Sequence, residues 1–335
     1  MKHFLLIITV CILSSCQPKT YDYLKMQGKI FGTFYNIIYQ PVKENDSIDM
    51  GITKELDKVD WALSTFKDTS TISKFNFSNK GITIDPMMKY VYESGISIYK
   101  NTDGAFDMTV GPLVNAWGFG FKKKDNVTSG MIDSLLLNIG MDKVKLDTNN
   151  YLSKQQPEIM LDASAIAKGY GVDVVADYLA SQGITNYMVE IGGEIRVAGI
   201  NNKGIAWRVG IDKPIDDKAA ISRELQDILS LTNVGLATSG NYRNFYVKNG
   251  KKYAHTIDPK TGYPVQHSLL SASIIAKECM VADGYATACM VMGLEKSMQV
   301  IESLPNIEGY FIYQDENGEN QVKYTKGFEK LILQQ

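Results

Sequence analysis

Asp283 and Thr287 stand four residues apart in the stretch Glu278 to Met292, which is otherwise apolar and rich in Ala and Met. On a helix that spacing projects both oxygens from one face. A carboxylate and a hydroxyl are hard donors suited to Mg²⁺, which also accepts backbone carbonyls and substrate phosphates as ligands. A charge in an apolar helix needs a partner, and a cation is the economical one, while an Asp near a helix start also reads as a cap.

A second chemical feature is the run Leu161 to Leu179, LDASAIAKGYGVDVVADYL. Asp162 and Ser164 stand where a helix would begin, and Val172, Val175, Ala176 and Leu179 give it one buried face. Between them Ala163, Ala165, Ala167, Gly169 and Gly171 let backbone approach a ligand closely, with Lys168 as the charge among them. Small residues, a cation and free helix N–H groups suit a phosphate-bearing ligand. A capped, Ala-rich helix packed on a sheet would use the same residues.

The chain holds three histidines, His3, His255 and His267. His3 belongs to a leader, so a reaction needing an imidazole base must draw on His255 or His267. His255 opens His255-Thr256-Ile257-Asp258-Pro259 and the turn Lys260 to Pro264. A Ser/His/Asp hydrolase lacks its nucleophile elbow, which Thr238-Ser239-Gly240-Asn241 resembles only loosely. Gly192-Gly193 reads as a hairpin turn, and no Cys or His spacing suggests zinc.

The elements that must position these groups alternate irregularly between helix and strand. Gly28 to Tyr39 reads as a strand interrupted at Gly32-Thr33, and Ile52, Leu56, Val59 and Leu63 recur at helical spacing. Phe66 to Asn76 looks like a loop, Asp85-Pro86 opens a helix through Ile96, and Met131 to Ile139 is another stopped by Gly140. The segment 104–120 is too rich in Gly and aromatics for a plain element and suits a site-lining loop. Short strands are expected near Val144 and Ile159.

Further on, strands are expected at Tyr187 to Ile191, Glu194 to Ile200 and Ala206 to Ile211. A hairpin over Asn249-Gly250 joins Phe245 to Lys248 with Lys252 to Ile257, and Ser271 to Ala276 is a further strand. Phe311 to Gln314 and Gln321 to Tyr324 close as another hairpin. This order implies an α+β fold of mixed helices and mainly antiparallel sheets, not a Rossmann domain.

The first residues carry a different message. Lys2 and His3 precede the apolar run Phe4 to Leu13 and then Leu13-Ser14-Ser15-Cys16. That run is too short to span a bilayer but suits an export signal, and its end looks like a bacterial lipoprotein cleavage site with Cys16 as the acylated residue. The expected organisation is a signal peptide over 1–15, a tether over 16–27 and one domain over 28–335. Lipid anchoring through Cys16 would place the protein in the bacterial periplasm on the inner or outer membrane, with Gln17 favouring the outer. Cys279 and Cys289, ten residues apart on one expected helix, would lie about 15 Å apart and stay free thiols.

Of the 335 residues, 44% are hydrophobic and 21% charged, which is ordinary for a soluble globular protein. The formal charge is −2 and no basic stripe appears, so nucleic acid is excluded as an expected partner.

Taken together, the segments resemble the ApbE family of FAD:protein FMN transferases from about Gly28 to Leu294. The resemblance rests on Gly32-Thr33, ISKFN (72–76), GAFDMTVGPLVNAWGFG (104–120), DASAIAKGYGVD (162–173), VEIGGEIRV (189–197), TSGNYRNF (238–245), HTIDPKTGYPV (255–265) and ADGYATA (282–288). It implies an ApbE-like (T-fold-like) architecture and a Mg²⁺-dependent enzyme. Such an enzyme cuts the FAD pyrophosphate, moves FMN onto a threonine hydroxyl of a partner flavoprotein and releases AMP.

By motif position, Asp283 and Thr287 would bind Mg²⁺ with the carbonyls of Ala165 and Ala286. Ala105, Phe106, Asp107, Asp162, Lys168 and Ile257 would contact FAD, and His255 would act as base toward the acceptor hydroxyl. Phe31 stands where many members have Met and Phe66 where many have Tyr, both near the expected flavin site. The implied acceptors are exported flavin-carrying subunits of ion-pumping oxidoreductases. Two other activities fit the same residues: an FAD pyrophosphatase giving FMN and AMP, and a flavin-binding lipoprotein without turnover.

Overall fold

The structure is a computed structural model and describes residues 22–42, 47–119, 127–214, 224–241, 245–248 and 251–334. Cys16 and the expected signal peptide lie outside the described residues. Among those described, no helix is long and apolar enough to cross a membrane.

The chain enters as a hairpin of β1 (Leu24–Ile30) and β2 (Thr33–Tyr39), turned at Phe31 and Gly32, which both have positive φ. β1 begins inside 16–27, the stretch expected to be a tether. In α1 (Ile48–Leu63) the residues Ile52, Leu56, Val59 and Leu63 are all buried, as their spacing requires. α2 (Thr71–Phe77) occupies the expected loop, because Ser70 accepts the Ser73 N–H and caps a helix in a polar run. β3 (Gly81–Thr83) leads to α3 (Pro86–Asn101), where Asp85 accepts the Met87 and Met88 N–H groups.

The Gly-rich segment contains one short helix, α4 (Gly111–Ala116), and α5 (Ser129–Leu136) follows. β4 (Val144–Leu146) stands where expected, whereas its partner is β5 (Tyr151–Lys154) and Ile159 belongs to no strand. α6 (Ala167–Ser181) precedes β6 (Tyr187–Ile191), β7 (Glu194–Ala198) and β8 (Trp207–Asp212). Gly192 and Gly193, at φ of 64° and 100°, make the tight turn between β6 and β7 that other residues adopt at a cost.

β9 (Leu225–Leu231) and β10 (Val234–Gly240) come next, then the hairpin of β11 (Phe245–Lys248) and β12 (Lys251–Ala254). β12 ends before His255, so Ile257 lies beyond that strand and bridges Pro264 instead. The chain closes with β13 (Leu269–Ala276), α7 (Cys279–Met292), α8 (Leu294–Ser303), β14 (Glu308–Gln314), β15 (Asn320–Tyr324) and α9 (Lys326–Glu329).

Eight strands form one antiparallel sheet in the order β1-β2-β6-β7-β10-β13-β14-β15. Strand alternation decides what covers each face. Ala272, Ile274 and Ala276 of β13 join Phe311 in the helix-side core with Met280, Ala282 and Ala286 of α7. Ile37, Val189 and Ile191 extend that side under α1 and α6. Leu236, Ile275, Tyr310 and Ile312 point the other way, onto Trp207, Val209 and Leu229 of the β8–β9 ribbon and Phe328 of α9. The result is the α+β arrangement that the order of elements implies.

Candidate active site

α7 is buried along most of its length, and its first N–H groups take their acceptor from another helix. Asp173 on α6 accepts the Cys279 N–H at 2.9 Å and the Met280 N–H at 2.8 Å, while Glu278 supplies no side-chain cap. Arg196 on β7 pairs with Asp173 at 3.0 Å and with Asp177 at 2.9 Å. The two helices meet backbone to backbone at Gly169, where an added Cβ would lie 2.6 Å from the Cys279 carbonyl oxygen. Cys279 and Cys289 are buried free thiols.

That contact places Asp283 against the start of α6. Its Oδ2 accepts the Gly169 N–H at 3.1 Å, so it does not cap its own helix. α6 begins at Ala167, later than Asp162, whose Oδ1 accepts the Ser164 N–H in a preceding turn. The Ala167 N–H donates to the Ala163 carbonyl at 2.8 Å. The N–H groups of Ser164, Ala167 and Gly169, three of those expected to face a phosphate, therefore have protein acceptors.

Lys168, half-buried at the cleft, joins two buried acidic side chains. Its Nζ lies 2.9 Å from Glu194 Oε1 and 3.8 Å from Asp283 Oδ2. Burial opposes the ammonium, yet the Asp283 and Glu194 carboxylates outweigh it and raise the Lys168 pKa. Burial also raises Asp283, with Lys168 and the Gly169 N–H pulling the other way. Glu194 is raised by burial and by the Asp283 charge, against its ion pair with Lys168. Glu194 Oε2 is buried with no hydrogen-bond partner among the described residues.

A cleft of about 300 Å³ opens over this cluster. Of the residues singled out in the sequence, Ala105, Phe106, Asp107, Ala165, Lys168, His255, Ile257, Asp283 and Thr287 line it together. The loop carrying Asp107 is fixed by its own hydrogen bonds. Asp107 Oδ1 accepts the Thr109 N–H at 2.7 Å and the Thr109 hydroxyl at 2.6 Å, and that hydroxyl accepts the Gly140 N–H. Burial lifts the Asp107 pKa to about 6. The Asp162 N–H donates to the Met108 carbonyl at 2.7 Å, which joins this loop to the start of the α6 turn.

His255 is half-buried, with the Phe119 ring 6.4 Å away at an edge-on angle. Trp117 fastens the following turn by donating to the Gly262 carbonyl at 2.8 Å. His267 is turned elsewhere, with Nε2 2.9 Å from the Met290 carbonyl oxygen.

Four of the expected residues are not in the lining. Phe31 sits in the β1–β2 turn at φ 51°, its ring close against Gly171. Phe66 is 82% exposed, just beyond α1. Asp162 packs beside Gly111, and Ala286 is buried on α7 between Asp283 and Thr287.

The donors at the cleft floor fit a hard divalent cation on their chemistry. Asp283 is 2% exposed, Thr287 stands one turn along, and Ser239 Oγ lies 3.4 Å from Thr287 Oγ1. All are oxygens, and Glu194 adds a buried carboxylate with one unsatisfied atom. Among the described residues no group of three or more His, Cys, Asp and Glu gathers as metal ligands, so an ion here would depend on hydroxyl and carbonyl oxygens as well.

Glu194, Ser239, Asp173 and Arg196 lie within the quoted motifs, but the residue patterns give none of them a site role. Glu194 and Arg196 alternate with Ile195 and Val197 in β7, a period of two that places both charges on the face meeting α6.

The family model described as the ApbE family matches residues 31–311. A protein of Vibrio cholerae serotype O1 named FAD:protein FMN transferase is 40% identical over 310 residues, 90% of this chain and 91% of its own. One of Haemophilus influenzae with the same name is 39% identical over 331 residues, 95% and 94% of the two chains. The solved structure of flavin transferase ApbE from Vibrio cholerae superposes with a TM-score of 0.83 at 38% identity, covering 92% of this chain and 99% of that one. A family match of that extent, with relatives and a solved structure agreeing along the same length, makes this chain a member of the ApbE family.

Proposed function

We propose that this chain is a Mg²⁺-dependent enzyme that transfers FMN from FAD to a threonine hydroxyl of an acceptor flavoprotein and releases AMP. The observation that carries the reading is the meeting of Asp283, Thr287, Lys168 and His255 in one cleft. The names of the relatives support the same activity.

Asp283, Thr287 and the Ala165 and Ala286 carbonyls would hold the metal. Bound there, a divalent ion would neutralise charge on the pyrophosphate and stabilise the negative charge that develops as its bridge breaks. Lys168 adds a cation whose raised pKa keeps it charged. Ala105, Phe106 and Ile257 present apolar surface to the dinucleotide, and Phe31, Phe66, Asp107 and Asp162 belong to the same binding proposal.

His255 takes the proton from the acceptor hydroxyl, since an alcohol is a weak nucleophile until a base removes it. The hydroxyl oxygen then bonds to the FMN phosphorus, and the bond from that phosphorus to the bridging oxygen breaks. AMP departs with the bridging oxygen.

The test incubates the protein with FAD, Mg²⁺ and a candidate acceptor. FMN attached to the acceptor with one AMP released per flavin is the expected result. Free FMN with unmodified acceptor would instead mean hydrolysis, and tight FAD retention without AMP would mean a binding protein. Turnover that survives exhaustive chelation overturns the metal reading.

Acylation of Cys16, membrane anchoring, a periplasmic location and acceptors drawn from ion-pumping oxidoreductases complete the proposal. Tethered reactants on one membrane meet at raised local concentration. Cys16→Ala should release the protein into the soluble fraction, and its retention on membranes would count against the anchor.

A further inference from the structure

We propose that Glu194 is a positioning residue that draws Lys168 away from Asp283 and so keeps the Asp283 carboxylate available to a divalent cation. The inference rests on the metal reading above and concerns how this chain's own charges are shared.

Asp283 sits in a hollow with a competitor for its carboxylate close by. A lysine ammonium and a divalent ion seek the same oxygens, and a buried carboxylate beside a half-buried lysine would ordinarily settle into a direct ion pair. Here the distances divide the ammonium unequally. Lys168 Nζ makes a hydrogen-bond-length contact of 2.9 Å with Glu194 and stays 3.8 Å from Asp283, beyond a hydrogen bond. Asp283 takes the Gly169 N–H on Oδ2, which fixes its orientation without neutralising it.

Glu194 is poorly explained as a stabilising residue. It is 4% exposed and its Oε2 has no hydrogen-bond partner among the described residues, an arrangement that costs stability. It reaches Lys168 from β7, immediately after the Gly192-Gly193 turn, opposite Ile191. The cluster therefore sets two acidic side chains around one lysine, and the lysine's close contact goes to Glu194, not to Asp283. With a glutamine at 194 the ammonium and Asp283 would form a neutral pair, and the cation would have to displace it.

The test is a Mn²⁺ titration of the full chain followed by electron paramagnetic resonance, with Mn²⁺ standing for the divalent cation and no FAD present. Glu194→Gln should weaken Mn²⁺ binding about 10- to 100-fold, the usual effect of removing a group that orients a metal ligand. Glu194→Asp, which keeps the charge, should restore most of the affinity. In a Lys168→Met background the Glu194→Gln change should have little further effect, because no ammonium is left to draw away. That comparison also serves if Glu194→Gln alone fails to fold by circular dichroism.

Wild-type affinity in Glu194→Gln overturns the inference. The same loss with and without Lys168 also overturns it, since Glu194 would then act only through its own charge. Wild-type protein that binds no Mn²⁺ overturns the metal reading itself.

Discussion

Asp173 caps Cys279, the first residue of a helix to which it does not belong, through a 2.9 Å hydrogen bond from the Cys279 N–H. Because Gly169 and Lys168 lie on the same helix as Asp173, one edge of α6 both fixes the start of α7 and meets Asp283 a turn later. Stability and site geometry are joined at that edge.

Asp173→Ala removes two buried acceptors and leaves Arg196 with only Asp177, which is mostly exposed. The expected loss is about 3 kcal/mol, in the range for breaking a buried charged pair. Asp173→Asn keeps one acceptor and should lose less. Urea unfolding of the three proteins measures this, and an alanine variant within error of wild type would show that the cap is dispensable.

Asp283→Ala should abolish FMN transfer while the fold persists. The structure gives the reason for both halves: removal deletes the carboxylate at the cleft floor, yet Lys168 keeps its 2.9 Å partner Glu194 and is not stranded. Flavin attachment to the acceptor and far-UV circular dichroism read the two effects separately. Retained transfer in Mg²⁺ buffer would refute the assignment of Asp283 to the metal.

The faces of α1 and α7 could be read from the residues because helical spacing alone buries Ile52, Leu56 and Val59, and because Asp283 is a lone charge in an apolar run. β10 could not. Its sequence VGLATSG has weak strand character since α7 lies directly on it, and a Cβ at Gly235 would come 2.4 Å from the Cys279 nitrogen. The small residues answer a tertiary demand that local propensity does not carry. α2 was hidden for a related reason, its Ser70 cap and polar surface matching loop composition. Glu194 escaped because its partner Lys168 is brought to it by the α6–β7 crossing, and only the alternation Glu194, Arg196 hinted that two charges face inward.

Asp107 offers a pH test independent of turnover. Burial raises its pKa from 3.8 to about 6, so the folded state holds the proton more tightly than the unfolded chain does. The resulting stability is full below the unfolded value and is lost as pH rises through about 6. The difference is worth up to ~3 kcal/mol. Asp107→Asn keeps an acceptor for the Thr109 N–H and hydroxyl but does not titrate, so its melting temperature relative to wild type should climb between pH 4 and pH 7, a window set by that displacement. A constant difference across that window would mean the carboxyl is not perturbed.

His255→Asn should slow transfer about 10²- to 10⁴-fold, the usual contribution of a general base, with FAD affinity nearly unchanged. The imidazole lines the same cleft as Asp283 and Lys168. In the proposed reading Asp283 and Lys168 would hold the phosphates and His255 would meet the incoming hydroxyl. Single-turnover flavin attachment, set beside an FAD binding isotherm, separates these roles. Parallel losses in rate and affinity would mean that His255 holds the dinucleotide and does not remove the proton. The acceptor's own hydroxyl would then need its base from another group lining the cleft, for which Asp107, lifted to about 6, is the buried candidate.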